Sequence, residues 1–446
     1  MKIDKNKLYK FLFAIGLLCF CYIILAPKTI DPQGEWYPDV NDYKAQSQSS
    51  LTSSDFYAPK PTAGFSPRPF TVPLFLKIAG SNFYNMIILQ KIIYCICIIS
   101  LLIAILNFIS NFWVKIITQF GLLFFFTWWN IVGWSNLLVS ESLSISLMFL
   151  WFSVILFYYK KQSVLNTVFL IVASFLLSFT RDTWPYIILL FFLLNIFISK
   201  FLAIGSIKKN MSLFVFSICL FFTQNYTSNV GERYRLPVFN SIAGRIAQND
   251  DYLAWFKNEG MPKGDTLKAD FGNIQNLDVN GRALIYTRYL DSTYTTLFKW
   301  VVKDGKNKYQ KFLVTHPYYF FLQDLSGDVV KENLFSYNIY YYQQEEGFFV
   351  NAYHVFPIFN LWFYLLFFLL LLFLFFKTKK TIYAFLATIF ILCVVNALIT
   401  YNADSLEIKR HLFITTIILE FISISTLILL ADYISNLLIK KRSKTL

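Results

Sequence analysis

The sequence predicts an all-α polytopic membrane protein with about ten transmembrane helices, a large external first loop and a mixed external domain before the last three spans. Two observations carry this prediction. The 446 residues are 56% hydrophobic and only 15% charged, and their mean hydropathy is +0.51, far from the usual balance of a soluble protein. Long apolar runs also recur along the chain, most of them near the ~20 residues that cross a bilayer.

The ten apolar runs are taken as spans. The first follows several lysines and could be a signal peptide, but Ala26-Pro27 is a poor cleavage site and the run is long enough to cross, so it is assigned as a helix. All six cysteines lie inside the runs, which argues against disulfides and zinc binding. The runs are 11–26, 85–108, 116–134, 142–159, 165–180, 185–204, 211–224, 356–376, 381–400 and 411–439.

Basic residues set the expected topology. The net charge is +14, but Lys and Arg stand in short clusters at the ends of apolar runs, where they indicate cytoplasmic loops rather than a nucleic-acid partner. With a cytoplasmic N-terminus, these clusters all fall on the cytoplasmic side, so both termini are predicted to be there. The clusters are Lys115, Lys160-Lys161, Lys208-Lys209, Lys377 to Lys380 and Lys440 to Arg442.

Composition divides the chain into three parts. Residues 1–224 form an N-terminal transmembrane module with a polar first loop at 27–84, and residues 356–446 form a C-terminal module of three spans. Between them, 225–355 is rich in charged residues and has no run that could span, so it is predicted to be a second external region of domain size. Helical patterns within it cover Asp251 to Lys257 and Thr293 to Thr315.

The external segments hold the candidate site. A carboxylate there can take a proton from an acceptor hydroxyl, and a basic side chain can neutralise a departing phosphate, which together suit glycosyl transfer. The simpler alternatives are a solvated loop acid, a helix cap, an interfacial anchor, or an Arg181–Asp182 ion pair. The candidates are Asp39, Asp42, Tyr43 and Arg68 in the first loop, Glu141 after the third span, Arg181 after the fifth, and Asp404, Glu407, Lys409 and Arg410 before the tenth.

Four stretches of these segments match the motifs of a known family. They are Asp39-Val40-Asn41-Asp42-Tyr43, Arg68-Pro69-Phe70-Thr71-Val72-Pro73-Leu74-Phe75, Ser140-Glu141-Ser142-Leu143 and Arg410-His411. They resemble the GT-C glycosyltransferases that use polyprenyl-phosphate sugars, including protein O-mannosyltransferases and lipid A aminoarabinose transferases. The resemblance covers the first half of the chain and the final span. Two departures are that Asp42 competes with Asp39 for the role of the base, and that His411 stands where Tyr is commoner.

The resemblance implies a GT-C fold and an inverting hexosyl- or pentosyltransferase of the bacterial inner membrane. The donor would be a polyprenyl-phosphate monosaccharide, and the acceptor a cell-envelope glycan such as lipopolysaccharide, a lipid or a protein on the outer face. Asp39 would be the base, Glu141 would shape the site, and Arg410 with Arg68 or Arg181 would hold the phosphate. Some members use Mg²⁺ or Mn²⁺, for which Asp39 and Glu141 are the candidate ligands.

Two other functions remain open. An O-antigen polymerase or ligase also combines many spans with a large external loop, but it would use a diphosphate-linked oligosaccharide and tends to place its functional loops later in the chain. A transporter or flippase binds near the midplane and often carries charges there. In this chain Lys91 and Glu420 are the main charges inside spans, and the remaining charge gathers in external segments, which favours chemistry at the surface.

Overall fold

The computed structural model of this protein describes residues 4–27, 38–62, 65–202, 206–271, 292–319, 361–403 and 408–442. Helices contain 84% of these residues, and none of these residues forms a β-strand. The all-helical part of the prediction is therefore confirmed for the described chain.

The first half of the chain alternates long apolar helices with short ones. Polar side chains cap several N-termini by accepting hydrogen bonds from free backbone amides, as Asp4, Asn82, Asn111 and Ser163 do. The helices are α1 (Lys5–Leu25), α2 (Pro38–Gln48), α3 (Ser54–Tyr57), α4 (Thr71–Ile78), α5 (Phe83–Leu106), α6 (Phe112–Phe126), α7 (Trp129–Val132), α8 (Ser140–Lys160), α9 (Val164–Ser178), α10 (Trp184–Leu202) and α11 (Ile207–Val230).

The second half begins with short helices and ends with long ones. Asn249 caps the helix that covers the predicted stretch Asp251 to Lys257, and Gly260 follows it with φ +87°, a backbone conformation that glycine adopts without strain. The helices are α12 (Arg235–Ser241), α13 (Asp250–Asn258), α14 (Gly264–Phe271), α15 (Thr295–Trp300), α16 (Lys306–Thr315), α17 (Leu361–Thr378), α18 (Thr381–Ala403) and α19 (Ile408–Arg442).

Within the described chain, five helices are long and apolar enough to cross a membrane: α1, α5, α8, α18, and α19 from Arg410 to Lys440. Shorter apolar helices, α6, α9, α10 and α17, occupy four more of the predicted spans, and the predicted span 211–224 lies within α11. The structure therefore supports a membrane protein, and the count of ten spans stays a prediction. α8 lies at the centre, with 89% of its apolar stretch buried.

The predicted third span, 116–134, is not one helix. α6 ends at Phe126, and the Thr127 hydroxyl donates to the Phe124 carbonyl oxygen at 2.7 Å. α7 and a 3₁₀ turn at Gly133–Asn136 follow. The prediction was wrong here because average hydropathy cannot detect a turn made of mostly apolar residues.

The described residues of segment 27–84, which was predicted to be an external polar loop, contain the helices α2, α3 and α4. Although its sequence is polar overall, this segment contains apolar side chains that are fully buried, among them Phe56 and Val72. The Thr71 hydroxyl donates to the Leu176 carbonyl oxygen at 2.9 Å, and the Thr71 amide donates to the Phe179 carbonyl oxygen at 3.0 Å. These bonds attach α4 to the end of α9, so the segment is a packed part of the fold.

The described parts of the predicted external region, 225–271 and 292–319, are helical. They share a hydrophobic core of their own that includes Phe239, Phe256 and Phe312. The prediction of a mixed domain is thus wrong for these residues, and the rest of 225–355 lies outside the described chain. The three-part division of the chain stays a prediction.

Hydrogen bonds between distant residues define two ends of the helix bundle. At one end, Asp432 accepts a hydrogen bond from the Ser110 amide at 3.0 Å, and Lys160 Nζ donates to Asn107 at 2.9 Å. Lys161, between α8 and α9, lies at this end. Lys208 and Lys209, in the first turn of α11, also lie there, and Lys209 Nζ donates to the Gln162 carbonyl oxygen at 2.9 Å. The candidate site residues lie at the opposite end, so the charge asymmetry in the sequence matches the two ends of the bundle.

This arrangement leads to a labelling prediction. In a variant without native cysteines, Ser50→Cys in intact cells should react with a membrane-impermeant thiol reagent, and Lys161→Cys should react only after the membrane is permeabilised. Both positions are exposed in the fold, so burial cannot explain a difference. Labelling of Lys161→Cys from outside would contradict the cytoplasmic N-terminus.

Candidate functional site

One face of α2 carries the polar residues of the first motif. Asp39, Asp42, Tyr43 and Gln46 are spaced at i, i+3, i+4 and i+7, so an α-helix places them on the same side. Asp42, Tyr43 and Gln46 are all at most 6% exposed. The Asp-x-x-x-Tyr spacing of the sequence is therefore one turn of a helix that packs this face against the rest of the protein.

Arg68 joins the two aspartates of α2. Its Nη2 lies 2.6 Å from Asp39 Oδ1 and 2.9 Å from Asp42 Oδ2, and its Nε donates to Asp42 Oδ2 at 3.1 Å. The guanidinium carbon is 5.8 Å from the centre of the Tyr43 ring. Charge-assisted bonds of this kind are stronger than neutral ones and fix the planar guanidinium in one orientation.

Gln46 holds the backbone of Arg68 in place. Its Nε2 donates to the carbonyl oxygens of Phe56 and Arg68 at 2.8 and 2.9 Å, and its Oε1 accepts from the Arg68 amide at 3.1 Å. Sequence reasoning missed this residue. Its only signal was the spacing of seven residues from Asp39, which places it two turns along the same helix face.

Arg410, in the first turn of α19, connects α2 to α8. Its Nη2 donates to Asp39 Oδ2 at 3.0 Å and to Glu141 Oε2 at 3.1 Å, and its Nε lies 3.1 Å from Glu141 Oε1. One guanidinium thus contacts carboxylates that are more than 100 residues apart in the chain.

Glu141 lies at the bottom of the site. It is fully buried in the first turn of α8, where the helix N-terminus favours an acidic side chain. His411 Nδ1 is 3.3 Å from Glu141 Oε1, and Arg181 Nη2 is 3.9 Å from the same oxygen. Arg181 Nη2 is also 2.7 Å from His411 Nδ1. The turn between α9 and α10 therefore adds a third guanidinium.

The ion pairs change the pKa values of the first-segment residues in different directions. Burial raises the pKa of Asp39, but Arg68 and Arg410 outweigh burial and bring it below its ordinary value. For Asp42, burial outweighs Arg68 and leaves the pKa raised. Burial alone would lower the pKa of Arg68, but the carboxylates of Asp39 and Asp42 outweigh burial and leave this pKa raised. Burial also raises the pKa of Tyr43. Asp39 and Arg68 therefore both stay charged at neutral pH.

The site is partly exposed to solvent. The side chains of Arg68, His411 and Asp39 are 27%, 22% and 17% exposed, whereas Arg410 is 7% and Glu141 is 0% exposed. A ligand that enters from solvent would reach Arg68, His411 and Asp39 first, with Glu141 behind them.

The structure brings most of the predicted site residues together. Asp182, the proposed simple partner of Arg181, instead pairs with Arg233, whose Nη2 lies 2.9 Å from its Oδ1. Asp404, Glu407 and the side chain of Lys409 lie outside the described part. The predicted residues that meet in one network are Asp39, Asp42, Tyr43, Glu141, Arg68, Arg181 and Arg410.

Asp39 and Glu141 do not fit a divalent cation in this arrangement. Arg410 Nη2 lies between them, at 3.0 and 3.1 Å, where a metal ion bound by both would have to sit. No group of three or more His, Cys, Asp or Glu in the described chain could hold a metal ion. The residues present are therefore suited to ion pairing rather than to metal coordination.

The fold and site define a class: a helical protein with helices of membrane-spanning length that carries three carboxylates and three guanidiniums in one network at one end. A comparison with protein-family models and with curated proteins finds no match for this chain. The six ionised residues that meet at this end are called the charged network: Asp39, Asp42, Glu141, Arg68, Arg181 and Arg410.

Proposed function

We propose that this protein is a membrane glycosyltransferase that moves a monosaccharide from a polyprenyl-phosphate donor to a cell-envelope acceptor on the outer face of the inner membrane. One observation carries the proposal: the charged network is assembled from the first external segment and the ends of α8, α9 and α19, at the end of the bundle opposite the lysine clusters. This end is where a lipid-borne substrate presents its polar head to external side chains.

A purely structural role is a poor explanation of the charged network. Taking ions out of water costs several kcal/mol for each ion, and apolar side chains of similar volume often stabilise a fold as well or better. The network also remains partly open at Arg68 and Asp39, which a structural cluster would not require.

In the proposed reaction, an acceptor hydroxyl attacks the anomeric carbon of the donor sugar. The hydroxyl proton passes to the carboxylate of Asp39 as the new glycosidic bond forms. The bond between the anomeric carbon and the phosphate oxygen breaks, and its electron pair stays on the leaving polyprenyl phosphate. Attack opposite the leaving group inverts the configuration of the sugar.

The arginines would bind the phosphate of the leaving group and stabilise its negative charge. Arg68 is the most exposed of the three, and a guanidinium can offer two parallel donors to phosphate oxygens, which a lysine cannot. Arg410 and Arg181 lie behind it and contact Glu141. As the phosphate gains negative charge, this preorganised group of cations stabilises it without reorientation of water.

The test is transfer of a radiolabelled sugar from a polyprenyl monophosphate to endogenous acceptors, in membranes that contain the wild-type protein or its Asp39→Asn variant. The expected result is transfer that needs the wild-type protein. If only a diphosphate-linked oligosaccharide is consumed, the protein is a polymerase or ligase. If labelled substrate crosses the bilayer without forming a new bond, it is a transporter or flippase. Either result would overturn the proposal.

A further inference from the structure

A cavity of about 330 Å³ lies where three apolar helices end, on the same side of the bundle as the charged network. The first turn of α10 and the C-terminal ends of α11 and α18 contribute to its lining, and α12 and α16 contribute the rest. A volume of this size is at the lower end of the range for small-molecule sites. In a membrane, apolar helices end at the level of the lipid head groups, so the cavity is expected to lie beside them.

The lining carries two cationic side chains and one anionic side chain. Asp182 pairs with Arg233, whose Nη2 lies 2.9 Å from Asp182 Oδ1. Lys306 adds a second positive charge and has no carboxylate partner in the described chain, since its Nζ donates to Asn229 Oδ1 at 2.5 Å. The lining therefore has one positive charge in excess, which favours an anionic ligand.

Arg233 retains a hydrogen-bond donor without an acceptor. Its side chain is only 3% exposed, and its Nη2 donates to Asp182 and, at 3.1 Å, to the Thr227 hydroxyl. Its Nη1 is buried and has no hydrogen-bond partner among the residues that the structure describes. An unpaired buried donor on a charged group costs free energy, and an oxygen of an anion bound in the cavity would be the missing acceptor.

Lys306 is the second group that an anion would stabilise. Burial lowers the pKa of Lys306, Asp182 opposes this effect, and Arg233 adds to it. The two cations are therefore close enough to repel each other. Within the described chain, Nζ has Asn229 as its only hydrogen-bond acceptor, so two of its three ammonium hydrogens remain available. An anion that contacts both cations would offset their repulsion.

Apolar side chains form another part of the lining, among them Val238, Leu313 and Ile399. Tyr226 and Val314 directly follow lining residues in the sequence, and both are exposed. Exposed apolar and tyrosine side chains beside a cavity are typical of a surface in contact with lipid. A bare phosphate ion would use none of this apolar surface, whereas the glycerol and acyl part of a phospholipid would.

Asn402 provides an acceptor for a ligand hydroxyl. Its Nδ2 donates to the Leu398 carbonyl oxygen at 2.9 Å, which fixes the orientation of the amide. Its Oδ1 is buried and has no hydrogen-bond partner in the described part of the chain. A hydroxyl near the phosphate would donate to this oxygen. The ligand that uses all of these groups has an anionic phosphate, a hydroxyl and an apolar part.

We propose that this cavity binds the head group of an anionic phospholipid, with the phosphate at Arg233 and Lys306. The inference goes beyond the transfer reaction, because binding here involves no residue of the charged network. The cavity is lined both by the region 225–319 and by the helix bundle. A ligand that binds the folded protein stabilises it, so the lipid would stabilise the junction of these two parts.

The experiment is native mass spectrometry of the full-length protein, purified in a neutral maltoside detergent, freed of lipid and titrated with dioleoyl phosphatidylglycerol or dioleoyl phosphatidylcholine. Both lipids have the same acyl chains and a phosphodiester, but the choline lipid has no net charge and no hydroxyl. The wild-type protein should bind phosphatidylglycerol at least about tenfold more tightly. Lys306→Gln should weaken that binding at least about tenfold, the loss expected on removal of one charge-assisted hydrogen bond.

Lys299→Gln is the matched control and should bind phosphatidylglycerol as the wild type does. It makes the same change at an exposed lysine of α15 that does not line the cavity. Ala403→Phe adds an aromatic ring at the cavity wall without a change of charge, and it should also weaken binding. Melting temperature in detergent checks that each variant is folded.

Several outcomes would overturn the inference. They are no binding of phosphatidylglycerol, equal binding of the two lipids, and equal losses in Lys306→Gln and Lys299→Gln. Wild-type binding by Ala403→Phe would place the lipid elsewhere on the protein. Displacement of phosphatidylglycerol by an equal concentration of inorganic phosphate would assign the cavity to a free anion instead. Asp39→Asn should bind the lipid as the wild type does, so failure of sugar transfer and failure of this site can be distinguished.

Discussion

Asp39→Asn is expected to reduce sugar transfer by about 10²- to 10⁴-fold, the usual contribution of a positioned general base. Asparagine keeps the shape of the side chain but cannot accept the proton. The fold should survive, because Arg68 keeps its contacts with Asp42 and Arg410 keeps its contacts with Glu141. Transfer rates in membranes, with expression level and donor binding as checks, measure the effect.

Asp42→Asn is the matched control for the base. It changes a carboxylate on the same face of α2 that pairs with the same arginine, yet it should cost less activity. Its amide oxygen can still accept the hydrogen bond that the Ser66 amide now gives to Asp42 Oδ1 at 3.0 Å. If Asp42→Asn is inactive and Asp39→Asn is active, the base is Asp42. If both retain wild-type transfer, the carboxylate mechanism in this segment is wrong.

The pH dependence of kcat/KM distinguishes the two carboxylates without mutation. This parameter reports the pKa of the base in the free enzyme, and the base must be ionised to act. The pKa of Asp39 lies below its ordinary value of 3.8, so transfer should stay constant as the pH falls from 7 to about 4. The pKa of Asp42 lies above 3.8. A loss of activity that begins above pH 4 would therefore favour Asp42.

The sequence could predict the charged network as a set of residues but not its bonds. Charges that flank apolar runs must lie near the ends of helices, and alternation of the runs placed Asp39, Glu141 and Arg410 at the same end. Which carboxylate meets which guanidinium depends on how α2 packs and where α9 ends. Arg181 therefore pairs with Glu141 rather than with its neighbour Asp182.

The parts that the sequence could not predict share a physical cause. Average hydropathy detected the membrane-length helices, since these need an unbroken apolar stretch. It failed for α2 and α4, whose burial depends on single faces, and for the break after Phe126, where the turn residues are themselves apolar. His411 was noted only as a departure from the resembled pattern, and its contact with Glu141 required the three-dimensional arrangement.

Glu141→Gln is expected to lower the free energy of unfolding by about 3–5 kcal/mol, the typical cost of removing one partner of a buried ion pair. Glutamine has the same shape as glutamate, so packing is unchanged. The change in the free energy of unfolding therefore measures the contribution of the negative charge. The substitution leaves Arg181 and Arg410 in a buried site with Asp39 as their remaining nearby carboxylate. A denaturant titration of the protein in detergent measures the change.

The matched control is Glu232→Gln. Glu232 pairs with Arg235 at 3.6 Å, but both side chains are about 30% exposed, and partly exposed ion pairs contribute only about 0–1 kcal/mol. Both variants replace glutamate with glutamine, so the difference between their losses of unfolding free energy measures the effect of burial. If Glu141→Gln is no more destabilising than Glu232→Gln, water must reach Glu141 and screen its partners. The charged network would then be an open, hydrated cluster, and the argument that desolvation makes its retention costly would fail.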